Sequence, residues 1–396
     1  MLAGADPSPT RPLTWMLGLF VLLSTVGSVR ATPVTLYELT RIPSLPSGNA
    51  MYVSGINNAG VAVGTQYIQT TIDANTTVNT PHAFLFDGNA TTSLDSLNNA
   101  SSAAGINDLG QVVGRSSNGG FMFNGTLHDL GAPANSSFSA INNDGQIALN
   151  VQNSGLHRAY FYDGAFHDLG TLTPSDNDVV ANDINASGHI VGSSSTYAGG
   201  ASSNATGQAI FYDGALHGLG TLPGFAQAQA MAINDSDQIV GFAFNPLSGD
   251  PQTYRAFLYD GEMHDLGLPG IQSFAEDINA AGDVVGEYFD ANSWHPFLYK
   301  DGVITNLNDY LATSGFGWRI EFATGINDLG QIAVYGSLAG VGQVGAILTP
   351  CAGACVGRSD GPPANIPMPE PSSLLLFGIG LLGEAARRGF RTRRLG

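Results

Sequence analysis

The stretch Gly55-Ile-Asn-Asn-Ala-Gly-Val-Ala-Val-Gly64 decides the fold, because it recurs along the 396-residue chain. Each copy keeps Ile-Asn, then a turn residue three positions after the Asn, then a short apolar run, and we call it the Ile-Asn phrase. Its asparagines are Asn57, Asn107, Asn142, Asn185, Asn234, Asn279 and Asn327. The six intervals between the first and the last average 45 residues. A period of this length is typical of solenoids and propellers, which stack one supersecondary unit per repeat.

A second phrase alternates with the first, and its clearest copy is His82-Ala-Phe-Leu-Phe-Asp-Gly88. Further copies begin at Arg158, Gln208 and Arg255, and weaker ones at Gly120 and His295. These lead into a third phrase, such as Leu127-His-Asp-Leu-Gly131. The three phrases in fixed order over residues 34–350 resemble the HAF family of extracellular repeats, named for His-Ala-Phe. The resemblance implies an extracellular repeat and brings no activity with it.

Each period contains two turn signals. Asp-Gly between two apolar runs, as at Asp260-Gly261, predicts a tight hairpin whose type I′ turn has φ > 0 at both residues. In the Ile-Asn phrase, the Asn side chain closes an Asx-turn and the Gly adopts a left-handed conformation, which predicts a second hairpin. Asp237 replaces this Gly in the fifth copy, and Asp tolerates the conformation better than most residues. Two hairpins give four short strands per period.

The strands between these turns are apolar on both faces, as in Gln238-Ile-Val-Gly-Phe-Ala-Phe244. A strand with one face in water would alternate apolar and polar residues, so both faces must be covered. The pattern predicts an all-β fold, a seven-bladed β-propeller of four-stranded blades over residues 32–350. Residues 36–39 and 345–350 supply the strands that complete the first and last periods. An open β-solenoid is the alternative, because repetition alone does not prove closure.

The N-terminus has the features of a secretory signal peptide. Arg11 precedes an apolar run at residues 15–26 that is too short to cross a bilayer comfortably. The small-residue pattern Val29-Arg30-Ala31 follows, which predicts cleavage after Ala31. We therefore expect residues 1–31 to direct the chain to the secretion translocon and to be removed.

Three elements follow one another at the C-terminus. They are the tripeptide Pro369-Glu370-Pro371, a short Leu- and Gly-rich span at residues 374–383, and a group of arginines that includes Arg387, Arg388 and Arg391. An apolar span before arginines is a stop-transfer pattern and predicts a short transmembrane segment. The whole pattern over residues 369–396 resembles the PEP-CTERM sorting signal. The resemblance implies transient anchoring in the inner membrane of a Gram-negative bacterium, recognition by an exosortase, and release to the cell surface or extracellular space.

The composition excludes some classes of partner. The formal net charge is −18, from 14 Lys and Arg against 32 Asp and Glu. Nucleic-acid binding needs clustered basic residues, so no nucleic-acid partner is expected. Hydrophobic residues make up 43% of the chain, which argues against a disordered protein because there is enough apolar surface to form a core.

The two cysteines, Cys351 and Cys355, follow the last predicted strand. In an oxidising compartment, a local disulfide between them is favoured over free thiols. Two ligands are too few for a structural zinc site. Residues 351–368 are rich in Gly and Pro and are interpreted as a linker that keeps the sorting signal accessible.

Metal binding has weak candidates in the turns. Asn142 with Asp144, and Asp183 with Asn185, place oxygen-bearing side chains beside a Gly, as Ca²⁺ sites do. The EF-hand spacing with a distal Glu is missing, so we expect turn structure here and, this Ca²⁺ alternative aside, no cofactor. The histidines of the third phrase recur once per unit and would be spread around a ring, whereas a metal site needs convergence. They are His128, His167, His217 and His264.

An active site is asymmetric, so its residues should break the repeat. Glu276, Glu287 and Glu321 do so, and paired carboxylates can hydrolyse a glycosidic bond. Trp294 and Trp318 also do so and are candidates for stacking on a sugar. The sequence contains no Walker loop, Gly-x-Ser-x-Gly elbow or His-Glu-x-x-His motif.

Two functional hypotheses follow. The first is an exported, non-catalytic protein of the cell surface or extracellular matrix, whose propeller is a structural or binding module. Polysaccharide is its implied partner, because exosortase systems resemble part of the exopolysaccharide export machinery. The alternative is a secreted polysaccharide hydrolase or lyase of propeller fold, which requires the repeat-breaking glutamates to converge.

Overall fold

The structure is a computed structural model, and it describes residues 36–73, 76–94, 100–196, 207–245 and 254–351. Over these residues the chain forms 28 β-strands and two short 3-10 helices, which confirms the all-β prediction. The predicted signal peptide at 1–31, the linker beyond Cys351 and the sorting segment at 369–396 lie outside the described residues.

The strands form seven groups of four antiparallel neighbours, which we number as repeat sheets. Strand β1 (Tyr37–Arg41) is separate in sequence and joins the seventh sheet. Sheet one contains β2 (Gly48–Ile56), β3 (Ala62–Asp73), β4 (Thr76–Phe86) and β5 (Thr91–Ser93). Sheet two contains β6 (Ser101–Ile106), β7 (Val112–Ser116), β8 (Gly119–Phe123) and β9 (Leu127–His128). Sheet three contains β10 (Ser136–Ile141), β11 (Ile147–Asn153), β12 (Leu156–Tyr162) and β13 (Phe166–Asp168).

Sheet four contains β14 (Asp178–Ile184), β15 (Ile190–Ser195), β16 (Gly207–Tyr212) and β17 (Leu216–Gly220). Sheet five contains β18 (Gln227–Ile233), β19 (Ile239–Phe244), β20 (Tyr254–Tyr259) and β21 (Met263–Asp265). Sheet six contains β22 (Gln272–Ile278), β23 (Val284–Phe289), β24 (Trp294–Lys300) and β25 (Val303–Asn306). Single-residue parallel bridges, Gly207 to Gln227 and Tyr254 to Gln272, join these three sheets into one of 12 strands. The 3-10 helices η1 (Leu307–Tyr310) and η2 (Thr313–Gly315) precede sheet seven, which contains β26 (Trp318–Ile326), β27 (Ile332–Leu338) and β28 (Gly342–Pro350).

Strand β1 completes the seventh sheet from the other end of the chain. It pairs antiparallel with β28, beginning with Tyr37 opposite Pro350. Residues just before and within η2 cover its outer edge, because the Ala312 N–H donates to the Tyr37 carbonyl and the Leu39 N–H donates to Ser314 Oγ. The first and the last described strands are therefore held in one sheet, and neither edge of β1 is left free over this stretch.

The seven phrase asparagines are buried and make the same three side-chain hydrogen bonds in every copy. Oδ1 accepts from the backbone N–H groups two and four residues later, as Asn142 does from Asp144 and Gln146 at 3.1 and 3.0 Å. Nδ2 donates to the backbone carbonyl of the next phrase asparagine, at distances from 2.8 to 3.3 Å. The last of these bonds runs from Asn327 Nδ2 to the Asn57 carbonyl. The series therefore returns to its start, and we call it the asparagine ring.

Apolar cores lie between the sheets. The described residues form seven clusters, and each contains side chains from two neighbouring repeat sheets. One cluster joins Ala333, Tyr335 and Ile347 of the seventh sheet to Met51 and Phe84 of the first. A row of seven sheets would have six such junctions, so the seventh core joins the two ends of the row. Complete burial of a large side chain such as that of Phe84 contributes about 1.5–3 kcal/mol.

The Asp-Gly hairpins differ from the prediction in the length of their loops. Tyr259 pairs with Met263, so three residues form the loop instead of two. Only Gly261 among them has a positive φ, of 112°. The predicted type I′ geometry is therefore wrong for this hairpin, although the turn lies where the sequence placed it. The Asp260 carboxylate lies 3.1 Å from His264 Nε2 and ties the wider loop to β21.

The first strand of every sheet carries a β-bulge that the sequence analysis did not identify. The register with the second strand shifts around the residue three positions before the phrase asparagine. The bulged residues are Ser54, Ala104, Ser139, Asn182, Met231, Glu276 and Thr324. A bulge leaves its residue out of the ladder and re-aims the side chain. Beside it the strands come so close that a Cβ on Gly241 would overlap the Gln229 carbonyl oxygen, so the glycine ending this phrase has a packing role.

The asparagine ring predicts a specific pattern of stability losses. We expect Asn142→Ala to lower the free energy of unfolding by about 4 kcal/mol, because four hydrogen bonds of a buried side chain are lost at roughly 1 kcal/mol each, the fourth being from Nδ2 to Gln146 Oε1. Asn142→Asp keeps the acceptor oxygens but replaces the Nδ2 donor with a buried carboxylate oxygen facing the Asn185 carbonyl, so at neutral pH it should cost at least as much. Chemical denaturation measures both changes. Asn153→Ala, at the exposed end of β11, the strand that follows the Asn142 turn, is the control and should be neutral; equal effects of Asn142→Ala and Asn153→Ala would contradict the structural role.

Candidate functional site

Two cavities are surrounded by residues from all seven repeat sheets. The first, of about 210 Å³, is lined by the Ile and Asn of every Ile-Asn phrase and by residues that follow them. The second, of about 190 Å³, is lined by the bulged residue of every first strand. Ile56, Ile106, Ile141 and Asp183 line both, so the cavities are successive sections of one channel.

The residue after each phrase asparagine forms the rim of the first cavity, where side chains link neighbouring sheets. The Asn58 N–H donates to Asp108 Oδ1, and the Asp328 N–H donates to Asn58 Oδ1, both at 2.8 Å. In the fourth and sixth copies this residue is Ala186 or Ala280, which has no side-chain acceptor. The rim carboxylates that make these bonds serve the connections between sheets.

Glu276 and Glu287 form a buried pair at the second cavity. The bulge on β22 brings Glu276 to the cavity wall, where its Oε1 is buried without a hydrogen-bond partner. Glu287 on β23 is 0% exposed, and neither of its carboxyl oxygens has a partner. Burial raises the pKa of Glu276 to about 7. Burial, and then the charge of Glu276, raise the pKa of Glu287 well above its usual value.

Asp183 and Asp277 lie in the channel at the position two residues before the phrase asparagine. Each carboxylate accepts a hydrogen bond from the next sheet, Asp183 from the Ile233 N–H at 2.9 Å and Asp277 from the Ile326 N–H at 2.7 Å. Burial raises the pKa of Asp183 to about 6. Burial, and then the nearby Asp183, raise the pKa of Asp277 to about 8. The three acids that line the second cavity, Asp183, Glu276 and Asp277, are therefore largely protonated at pH 5.

The structure separates the repeat-breaking residues. Glu276 and Glu287 lie on neighbouring strands, and the charge of Glu276 contributes to the raised pKa of Glu287. Glu321 on β26 accepts a hydrogen bond from Ser337 Oγ at 3.2 Å and lines neither cavity. Trp318 is 8% exposed and belongs to the core between the sixth and seventh sheets. Trp294 is half-buried, and its ring lies 5.1–5.9 Å from the rings of three phenylalanines, which leaves little free aromatic face for a ligand.

The Ca²⁺ candidates do not converge. Asn142 and Asn185 use their side-chain oxygens as acceptors for turn N–H groups, and Asp183 accepts from Ile233. Asp144 is exposed in its turn. Across the described ranges, no three His, Cys, Asp or Glu side chains are arranged to hold a metal ion.

The histidines of the third phrase contact turn residues within their own hairpins. His167, His217 and His264 each contact the Asp of the preceding turn at 2.9–3.1 Å, and His128 contacts Asn124 at 2.6 Å. Each contact ties a strand to the loop four residues earlier. The four histidines are consequently separate local contacts.

The bulged residues are the channel-lining feature that sequence reasoning missed. A signal was present in the repeat itself, because the seven copies hold Ile and Asn constant but have six different residue types three positions before the Asn. The bulge that brings this position to the cavity is a tertiary feature of the close approach between strands, and no turn signal marks it.

The residues beyond the channel are only partly described. Cys351 is disulfide-bonded, and its N–H donates to the Leu36 carbonyl at 2.9 Å. Cys355, Ala31 and the sorting residues lie outside the described ranges. They include Pro369, Glu370, Pro371, Arg387, Arg388 and Arg391. Within those ranges, no helix has the length and apolarity needed to cross a membrane.

A comparison with protein-family models identifies residues 369–394 as a PEP-CTERM protein-sorting motif. This motif is a substrate signal for exosortase, so the chain is an exported protein that is sorted at a membrane. A comparison with curated proteins finds no match.

Solved structures resemble the fold at low identity. An acylaminoacyl peptidase from Pyrococcus horikoshii matches at 10% identity and a TM-score of 0.50, over 76% of this chain and 51% of that one. TolB from Acinetobacter baumannii matches at 14% identity and a TM-score of 0.38, over 74% of this chain and 65% of that one. The β-propeller domain of the Trilobed protease from Pyrococcus furiosus matches at 14% identity and a TM-score of 0.38, over 66% of this chain and 99% of that one. The chain thus spans about half of the peptidase and 65% of TolB, and these similarities concern fold alone.

The buried acids predict how stability depends on pH. Their folded pKa values of about 6, 7 and 8 lie above the unfolded values of 3.8 and 4.5, so the folded state holds more protons between these limits. These three groups therefore make their full contribution to the free energy of unfolding below about pH 4, and that contribution is lost as the pH rises toward 8. In a buffer without divalent cations we expect the melting temperature to fall by several degrees from pH 5 to pH 8.5.

Circular dichroism melts at several pH values measure this slope. Asp163, Asp213 and Asp290 have lowered pKa values through hydrogen bonds, so their contribution disappears only as pH falls below about 4. Glu276→Gln should reduce the loss at alkaline pH, and Glu321→Gln should keep the wild-type profile. A melting temperature that rises steadily from pH 5 to pH 8.5 would contradict the assignment.

Proposed function

We propose that residues 32–350 form a closed seven-bladed β-propeller that serves the cell surface or extracellular matrix as a non-catalytic structural or binding module, after signal-peptide removal and exosortase processing. The observation that carries the proposal is the hydrogen bond from Asn327 Nδ2 to the Asn57 carbonyl at 2.9 Å. In an open solenoid the first and last repeats have no reason to meet. The pairing of β1 with β28 and the core shared by the seventh and first sheets support the same closure.

A non-catalytic role is supported by the use of the polar side chains. The phrase asparagines and the rim carboxylates connect repeat sheets, and the histidines hold hairpins. A two-carboxylate glycosidase needs both groups to reach the glycosidic bond from an open cleft. Glu287 has no exposed surface and Glu321 lines neither cavity, which favours the module over the hydrolase or lyase.

The position of the chain ends fits a protein with a membrane-directed segment at each end. The Cys351 N–H bonds to the Leu36 carbonyl, so the ends of the described fold meet at the edge of the seventh sheet. Both terminal segments would leave from this one edge, and their removal would leave every blade complete.

The net charge of the protein restricts the class of polysaccharide that a binding module could take as its partner. The net charge of −18 disfavours uronate-rich or sulfated polymers, because like charges repel. We therefore propose a neutral surface polysaccharide as the partner class.

The sorting step has a direct test in an exosortase-containing host. We expect Glu370→Ala in the full chain to remain in the membrane fraction, because the recognised tripeptide is altered, while the wild-type chain is released into the medium. Fractionation and immunoblotting measure the ratio. Glu384→Ala removes an acid from the same terminal region outside the tripeptide, and this control should be released normally. Normal release of Glu370→Ala would refute exosortase processing.

A further inference from the structure

The junction between the sixth and seventh repeat sheets contains a carboxyl group at a position that holds an aromatic ring in the two adjacent sheets. The residue eight positions after the phrase asparagine is Phe242 in the fifth sheet and Tyr335 in the seventh. Each lies against an aromatic ring of the following sheet, Phe242 on Phe274 at 5.0 Å and Tyr335 on Tyr52 at 5.4 Å. In the sixth sheet this residue is Glu287. The first four sheets have Thr65, Arg115, Asn150 and Ser193 at this position. A group that is charged when ionised thus stands between two sheets that have an aromatic ring at the same position.

The aromatic contacts continue on both sides of the carboxyl pair. Glu287 is the cross-strand partner of Phe274 on β22. Phe274 contacts Trp294, and Trp294 contacts Phe322 of the seventh sheet, both at 5.9 Å between ring centroids. The environment of Glu287 is therefore apolar, and it joins two sheets.

The buried oxygens of this pair receive no hydrogen bond. Neither oxygen of Glu287 nor Oε1 of Glu276 has a partner. The elements packed against β22 and β23 carry these titratable or charged groups: Asp183, Tyr254, Arg255, Tyr259, Asp277, Tyr288, His295, Tyr299, Lys300, Arg319 and Glu321. None of them donates to the three buried oxygens. Lys300, the single lysine in the sequence, pairs with Asp283 at 2.6 Å.

We infer that Glu276 and Glu287 form a proton-operated latch, which holds the sixth and seventh repeat sheets together when both carboxyls are protonated and loosens the junction when they ionise. Two neutral carboxyls are tolerated in an apolar interface at modest cost, whereas two carboxylates without counter-charges repel each other and require water. The raised pKa of each group is consistent with this behaviour. The latch goes beyond the proposed module function, because it makes closure of the ring respond to the pH outside the cell.

Hydrogen–deuterium exchange of the full chain tests the latch locally. We compare peptides from β23 and β26, at the latch, with peptides from β7 and β10, at the junction of the second and third sheets, after correction for the intrinsic exchange rate at each pH. The variants are Glu287→Gln and Glu276→Gln, which mimic the protonated groups in shape and charge. Should one of them fail to fold, the other still provides the comparison.

We expect β23 and β26 of the wild-type chain to exchange about tenfold or more faster than those of the Gln variants at pH 8.5, since one pKa unit corresponds to a factor of ten. At pH 5 the three proteins should match, and β7 and β10 should match at both pH values. Glu321→Gln, which removes a nearby glutamate outside the pair, should behave like wild type.

Equal exchange of wild type and the Gln variants at pH 8.5 would overturn the latch. So would an equal acceleration of β7 and β10 in the wild-type chain, because that result would show global instead of local loosening. Exosortase processing of Glu370→Ala is unaffected by either outcome, so failure of the latch and failure of the sorting proposal are separately visible.

Discussion

The asparagine ring is the interaction on which the rest of the structure depends. One amide side chain per repeat performs two tasks, because its oxygen closes a turn within a sheet and its nitrogen bonds to the next sheet. Neither Asp nor Ser could do both, since both lack the amide donor with this reach. The same residue therefore fixes the shape of the repeat and the relation between repeats, which explains why the asparagine is constant in all seven copies.

The ring also determines where chemistry is possible. With the asparagines, rim carboxylates and histidines used for structure, what remains in the channel are the bulged residues, which the repeat does not hold constant, and the buried carboxyls of Asp183 and Asp277. Glu276 is the only acid among the bulged residues, and it lies beside Glu287 and close to Asp277 in sequence. The described channel thus combines a repeated frame with an acidic and asymmetric region formed by Asp183 of the fourth sheet and by Glu276 and Asp277 of the sixth.

Much of the frame could be predicted from sequence, because its causes are local. The period, the all-β class and the turn at Gly261 follow from residues that specify backbone conformation over four or five positions. The loop at Asp260 was predicted one residue too short, because its His264 contact adds a side-chain constraint that the Asp-Gly rule ignores. The bulge at Glu276 and the close approach at Gly241 depend on two strands at once, so a one-dimensional pattern could not reveal them. The repeat-breaking glutamates were identified, but only the fold shows that Glu276 meets Glu287 and that Glu321 does not line the channel.

Closure of the ring is the central claim, and a distance between its first and last repeats tests it most directly. Spin labels at Ala59 and Leu329, exposed residues of the first and seventh phrases, can be compared by pulsed electron paramagnetic resonance with labels at Ala59 and Leu109 of the first and second phrases. Ala59, Leu109 and Leu329 occupy the same position in their repeats, and the only native cysteines in the sequence are Cys351, which is disulfide-bonded, and Cys355. A closed ring predicts the same mean distance for both pairs. A first-to-seventh distance several times the first-to-second distance would show an open array and contradict the account.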